Sequence, residues 1–129
     1  MLRKKKNLKK VLIIEDDALL LRVLSDAFVG EGFEIMTVEN GLEVLETTKK
    51  FLPHLILLDL IIPGIDGFAV LKQLKADKVT EKIPVVILSN LENVGDVKST
   101  KALGAEEYFI KANIKMEKLI DYVKSKLKI

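Results

Sequence analysis

Five short apolar runs punctuate the chain, and each empties into polar or charged residues. Val11-Leu12-Ile13-Ile14 runs into Glu15-Asp16-Asp17, and Leu55-Ile56-Leu57-Leu58 runs into Asp59. Pro84-Val85-Val86-Ile87-Leu88 leads to Ser89-Asn90, and Tyr108-Phe109-Ile110 delivers Lys111. Unbroken apolar runs of this length predict strands buried on both faces, the pattern of a parallel sheet covered by helices. Phe33 to Val38 is more polar and predicts a strand at a sheet edge. Pro84 is acceptable because it starts its strand.

Between these runs the apolar period lengthens to that of a helix. Leu20, Leu24, Ala27 and Phe28 form one stripe and predict a helix from Ala18 to about Gly30. Asp17 is its expected N-cap, and Gly30 or Gly32 its stop. Asn40 is placed to cap a second helix, Gly41 to about Lys50, which Pro53 closes off. Pro63-Gly64 and Asp66-Gly67 end the central strand and start a loop. A third helix is expected over Phe68 to Ala76, with Phe68, Leu71 and Leu74 on one side. A fourth runs from about Val94 to Leu103, stopped by Gly104. The last, from Ile114 or Lys115 to Lys128, buries Met116, Leu119, Ile120, Val123 and Leu127. Strand and helix thus alternate five times, predicting an α/β, (βα)5 doubly wound fold with a parallel five-stranded sheet. Right-handed crossovers and the common order 2-1-3-4-5 follow.

In such a sheet all the carboxyl ends lie along one edge, where open α/β sheets bind ligands. Glu15, Asp16 and Asp17 from strand one, Asp59 from strand three, Ser89 from strand four and Lys111 from strand five can therefore converge. Each has an ordinary reading by itself: a cap, a turn former, a solvated charge. Together they supply carboxylates, a hydroxyl and an ammonium. Glu15, Asp16 and Asp59 brought close would repel one another unless a cation sat among them. Oxygen-only ligation suits Mg²⁺ better than Zn²⁺. With the charge neutralised, Asp59 can accept a phosphoryl group, leaving an acyl phosphate. Ser89 can donate to a phosphoryl oxygen, and Lys111 can pair with its charge.

Composition narrows the field further. A length of 129 residues suits one domain, and 49% hydrophobic with 31% charged residues is a globular mix. There is no cysteine, which removes disulfide frameworks and thiolate sites. The net charge of +2 is misleading, because Arg3, Lys4, Lys5, Lys6, Lys9 and Lys10 open the chain. Without them 15 basic residues face 19 acidic ones, so the body carries about −4. Residues 1–9 are accordingly expected to be a basic flank, and 10–129 the domain. Such a body lacks the basic stripe of a nucleic-acid binder, so no direct nucleic-acid partner is expected. No apolar run approaches a membrane span or a secretory signal, which points to a cytoplasmic protein with no membrane partner.

The motifs have a specific resemblance. Glu15-Asp16, the stretch Asp59-Leu60-Ile61-Ile62-Pro63-Gly64-Ile65-Asp66-Gly67, Ser89, and Gly104-Ala105-Glu106-Glu107-Tyr108-Phe109-Ile110-Lys111 resemble the receiver domain of bacterial two-component response regulators. The likeness covers about Lys10 to Lys128 and implies the flavodoxin-like receiver fold. It implies that Asp59 is the phosphoacceptor, fed by a sensor histidine kinase or a histidine phosphotransfer protein. It also implies that Asp16, Asp59 and the carbonyl of Ile61 ligate Mg²⁺, with Glu15 acting through metal-bound water. Ser89 and Lys111 would bind the phosphoryl group, and Ser89 moving toward it would release Tyr108 inward. That would remodel a partner-binding face made by the fourth helix, fifth strand and fifth helix.

Three positions depart from the family pattern. Ala112 replaces the usual cis proline after the lysine. A cis Lys111–Ala112 bond would cost about 3–4 kcal/mol, so a trans bond is expected. Ile62 stands where Met is usual, and Asn90 stands beside the phosphoryl path where a small residue is common. His54 falls at the far end of its strand, where a surface role is expected. A flavodoxin-type cofactor site conflicts with the acidic cluster after strand one. A metal-dependent aspartyl phosphatase would want an acid partner at position 61, which is Ile61. The remaining alternative is a receiver-fold interaction module working without phosphorylation.

Overall fold

The computed structural model describes residues 8–129; most of the basic flank expected over residues 1–9 lies outside them. The elements run β1 (Lys10–Ile14), α1 (Ala18–Gly30), β2 (Glu34–Val38), α2 (Val44–Phe51), β3 (Leu55–Leu58), α3 (Gly67–Ala76), β4 (Val85–Ser89), α4 (Val94–Ala102), β5 (Glu107–Ile110) and α5 (Met116–Leu127). The five strands are parallel and ordered β2-β1-β3-β4-β5, as the alternating pattern predicts. Among the described residues no helix is long and apolar enough to cross a membrane.

The period-two alternation of each buried strand divides its side chains between two clusters. Leu12, Ile14, Ile56, Leu58, Val85 and Ile87 pack with Val44 and Phe51 of α2 and with Val70, Leu71 and Leu74 of α3. Val11, Ile13, Leu55, Leu57, Val86 and Leu88 face the other way, onto Leu24 and Phe28 of α1 and Leu119, Ile120 and Val123 of α5. Each fully buried large side chain contributes on the order of 1.5–3 kcal/mol relative to an exposed one. Two such layers hold the strand ends rigidly in place. The outer strands are less covered: Met36 of β2 is exposed and every residue of β5 is only half-buried. Helix α4 is the least anchored, with Thr100 its only buried residue.

Local signals act where expected, with three adjustments. Asp17 caps α1, its Oδ1 accepting from the Leu19 and Leu20 N–H groups, and Gly32 takes the left-handed φ of +91° after the helix. Asn40 caps a 3-10 turn, Gly41–Glu43, before α2 begins, and that helix runs on to the buried Phe51. In α3 the buried stripe is Gly67, Val70, Leu71 and Leu74, while Phe68 is half-buried. The stripe is rotated because the helix starts with Gly67 pressed against the end of β3. A second 3-10 turn, Lys111–Asn113, delays α5 to Met116, since Ile114 and Lys115 are extended.

His54, the only histidine, sits at the amino end of β3, away from the cluster of strand ends. It is exposed, as expected, yet its Nδ1 accepts the Lys10 N–H at 3.0 Å. Partial burial and the charges of Lys9 and Lys10 lower its pKa below the ordinary imidazole value. Protonation would convert the acceptor into a donor facing a donor. A depressed folded pKa means stability present above the unfolded value and lost as pH falls through the folded one. NMR titration of the ring should give a midpoint below that of a free histidine side chain. A midpoint at or above it would remove this link.

Candidate functional site

Strand register sets the geometry. Ile14 pairs with Leu58, so the next residues, Glu15 and Asp59, emerge side by side. Their backbones stay tied, Asp59 N donating to Ile14 O at 3.0 Å and Glu15 N to Val38 O at 3.0 Å. Ser89 pairs with Ile110, so the next step brings out Asn90 beside Lys111. These ends surround a cleft of about 230 Å³ lined by Glu15, Asp16, Asp17, Asp59, Ile61, Asn90 and Lys111. The loop after β3 hugs its floor. A Cβ on Gly67 would lie 2.4 Å from the Asp59 carbonyl oxygen, so only glycine lets α3 start this close.

Carboxylate oxygens of Glu15, Asp16 and Asp59 all lie within 4.8 Å of one another. Glu15 and Asp59 are 2% and 4% exposed, whereas Asp16 is open to solvent. The Lys111 ammonium bridges the buried pair, 2.6 Å from Glu15 Oε1 and 2.5 Å from Asp59 Oδ2. The other oxygens take main-chain donors: Asp17 N to Glu15 Oε2 at 3.0 Å and Ile61 N to Asp59 Oδ1 at 3.1 Å. Burial pushes the Glu15 carboxyl above the usual carboxylate range. Lys111 and the Asp17 N–H pull it down without cancelling, and the charge of Asp59 adds to the push. Burial works against the Lys111 ammonium too. Its two carboxylate partners outweigh that and hold its pKa above the ordinary lysine value.

The structure therefore brings together Glu15, Asp16, Asp59, Ile61 and Lys111, all singled out from sequence. Ser89 is set back. It is fully buried as the last paired residue of β4, and its Oγ accepts the Leu91 N–H at a long 3.4 Å. Tyr108 also stands behind the cleft. Its ring packs on the cluster beneath α2 and α3, and its hydroxyl donates to Leu91 O at 2.6 Å. Burial, with the charge of Asp96, raises its pKa, so it stays a donor. Ser89 and Tyr108 thus meet at one short segment, the loop from β4 into α4.

Asp17 and Asn90 also line the cleft, each with a backbone contact of its own. Asp17 is the N-cap it was read as, and it also adds a carboxylate to the rim. Asn90 lines the cleft, and its Oδ1 accepts the Ala112 N–H at 2.9 Å. The Lys111–Ala112 bond is trans, since the described residues contain no cis peptide. The trans alanine presents an N–H that proline would lack, and Asn90 uses it.

Comparison with known proteins agrees with this arrangement. A family model described as the response regulator receiver domain matches residues 11–124. The polar-differentiation response regulator DivK of Brucella anthropi is 34% identical over 119 residues, covering 92% of this chain and 96% of DivK. The DNA-binding response regulator MtrA of Mycobacterium tuberculosis is 32% identical over 93% of this chain, which spans about half (51%) of MtrA. The crystal structure of the phosphorylated cyanobacterial phytochrome response regulator RcpA superposes with a TM-score of 0.78. RcpA is 31% identical, with 92% of this chain and 90% of RcpA covered. Strand order, the convergence of strand ends and a family match over nearly the whole described chain agree: this chain belongs to the response regulator receiver domain family.

Proposed function

We propose that this receiver domain accepts a phosphoryl group on Asp59 from a phosphohistidine of a sensor kinase or phosphotransfer protein, in the cytoplasm. The observation that carries the reading is the Lys111 ammonium held between two nearly buried carboxylates, Glu15 and Asp59. One ammonium against three clustered carboxylates leaves excess negative charge, and the donors are hard oxygens only. That set fits Mg²⁺. Asp16, Asp59 and the Ile61 carbonyl would hold the ion, with Glu15 reaching it through water. Bound there, Mg²⁺ supplies the positive charge that offsets both the carboxylates and the incoming phosphoryl oxygens.

The chain's own residues then divide the work. An Asp59 carboxylate oxygen bonds to phosphorus as the P–N bond of the phosphohistidine breaks, and the departing imidazole keeps the bonding pair. Lys111 exchanges one carboxylate contact for a phosphoryl oxygen, keeping its charge paired throughout. Ser89 moves forward from its buried position to donate to a second oxygen. That movement draws on the β4–α4 loop, to which the Tyr108 hydroxyl is tied through Leu91 O. Helix α4 has little buried surface to resist. A two-state rearrangement of α4, β5 and α5, biased by the new charge, presents the altered face to a downstream protein.

The test is incubation of the folded chain with Mg²⁺ and acetyl phosphate, followed by intact-mass measurement. A single phosphoryl adduct, absent when EDTA replaces Mg²⁺, is expected. No adduct from any small donor, with the fold intact, would favour an interaction module working without phosphorylation.

A further inference from the structure

The Asn90–Ala112 contact has a consequence for the group held on Asp59, given the phosphoacceptor reading above. A backbone N–H can only donate, so the atom 2.9 Å from Ala112 N must be the carboxamide oxygen of Asn90. That settles which way the amide is turned. With the oxygen turned towards Ala112, the NH₂ is the other end of the carboxamide, and it offers two donors and no acceptor. Asn90 lines the same cleft as Asp59 and Lys111. An acceptor at this rim would oppose an anionic phosphoryl group, whereas a donor matches it. Exposed Asn90 also stands at the mouth of a cleft whose floor, Asp59, is 4% exposed.

We propose that Asn90 is a phosphoryl-binding residue, its carboxamide turned by the Ala112 N–H so that the NH₂ donates to the group on Asp59 and prolongs the acyl phosphate's life. Loss of that group is hydrolysis. The oxygen of a water bonds to phosphorus, the bond from phosphorus to the Asp59 oxygen breaks, Asp59 leaves as carboxylate, and the water's protons go to phosphate and solvent.

Two substitutions separate this role from a merely structural one. Asn90→Asp keeps the oxygen that accepts from Ala112 and nearly the same bulk, but replaces the NH₂ with negative charge. Asn90→Ala removes clasp and donor together. After loading with acetyl phosphate and Mg²⁺ and removal of the donor, the phosphorylated fraction is followed by intact mass. Both variants should lose the group faster than wild type, by about tenfold, the scale of one hydrogen bond to a charged group. Asn90→Asp should be at least as fast as Asn90→Ala. In ¹⁵N-labelled wild-type protein the Asn90 side-chain NH₂ resonances should shift on loading. A wild-type lifetime in Asn90→Asp reduces Asn90 to a clasp and overturns the proposal, as does a longer lifetime or no change in Asn90→Ala. A wild-type chain that never loads overturns the phosphoacceptor reading and this one together. A chain that loads normally with unaltered variants overturns this one alone.

Discussion

Asp59→Asn is expected to take up no phosphoryl group from acetyl phosphate and Mg²⁺ under conditions that load the wild-type chain completely. The substitution keeps the side chain's shape and one accepting oxygen for the Ile61 N–H, which bonds Oδ1. The Lys111 contact, made to Oδ2, is lost, but Lys111 keeps its pairing with Glu15, so the cleft should survive. What disappears is the nucleophile, because a carboxamide oxygen does not form a stable bond to phosphorus at neutral pH. Fold and chemistry should therefore separate. Removing one of three carboxylates whose oxygens lie within 4.8 Å of one another relieves repulsion, so unfolding without divalent ions should require no less denaturant than for wild type. Added Mg²⁺ should stabilise the variant less, since one ligand has lost its charge. Intact-mass measurement checks the first expectation and denaturant titration with and without Mg²⁺ the second. An adduct persisting in Asp59→Asn would place the nucleophile elsewhere and remove Asp59 from its role.

Lys111→Met is the substitution expected to cost the most stability. It deletes the one cation between Glu15 and Asp59, side chains only 2% and 5% exposed. Breaking a buried pair by removing one partner costs about 3–5 kcal/mol, and the 14% exposure of Lys111 favours the lower end. Its pH dependence follows from Glu15, whose pKa burial already raises. Without Lys111 one of the two influences pulling that pKa down is gone, and the folded value moves further above the unfolded one. The linked stability is full below the unfolded pKa and is lost as pH rises through the folded one. The deficit relative to wild type should thus be smaller near about pH 5 than near about pH 8. Millimolar Mg²⁺ should restore part of it, more than it adds to wild type. Equal stability of variant and wild type at neutral pH without divalent ions would show that Lys111 does not neutralise this pair.

Much of this is legible before any coordinates. Four-residue apolar runs such as Leu55 to Leu58 can only be satisfied between two layers, so the sheet's parallel character follows from composition and length. Caps at Asp17 and Asn40 act within a few residues of themselves, and their chemistry reads directly from the chain. The acidic group, Asp59 and Lys111 are legible for a related reason. A parallel sheet puts every strand's end on one edge, whatever the intervening helices do.

Tertiary structure decided which strand-end residues share the cleft. The β3–β4 pairing ends at Leu58–Ile87, two residues of β4 before the β4–β5 pairing ends at Ser89–Ile110. This leaves Ser89 inside the sheet and puts Asn90 on the rim, and no local pattern encodes that offset. The Asn90–Ala112 bond joins residues 22 apart in sequence, and the Lys111–Asp59 bond residues 52 apart. Local signals are decided by interactions along a few peptide units. Register and side-chain pairing across strands depend on how two whole layers pack, so they exist only once the chain has folded.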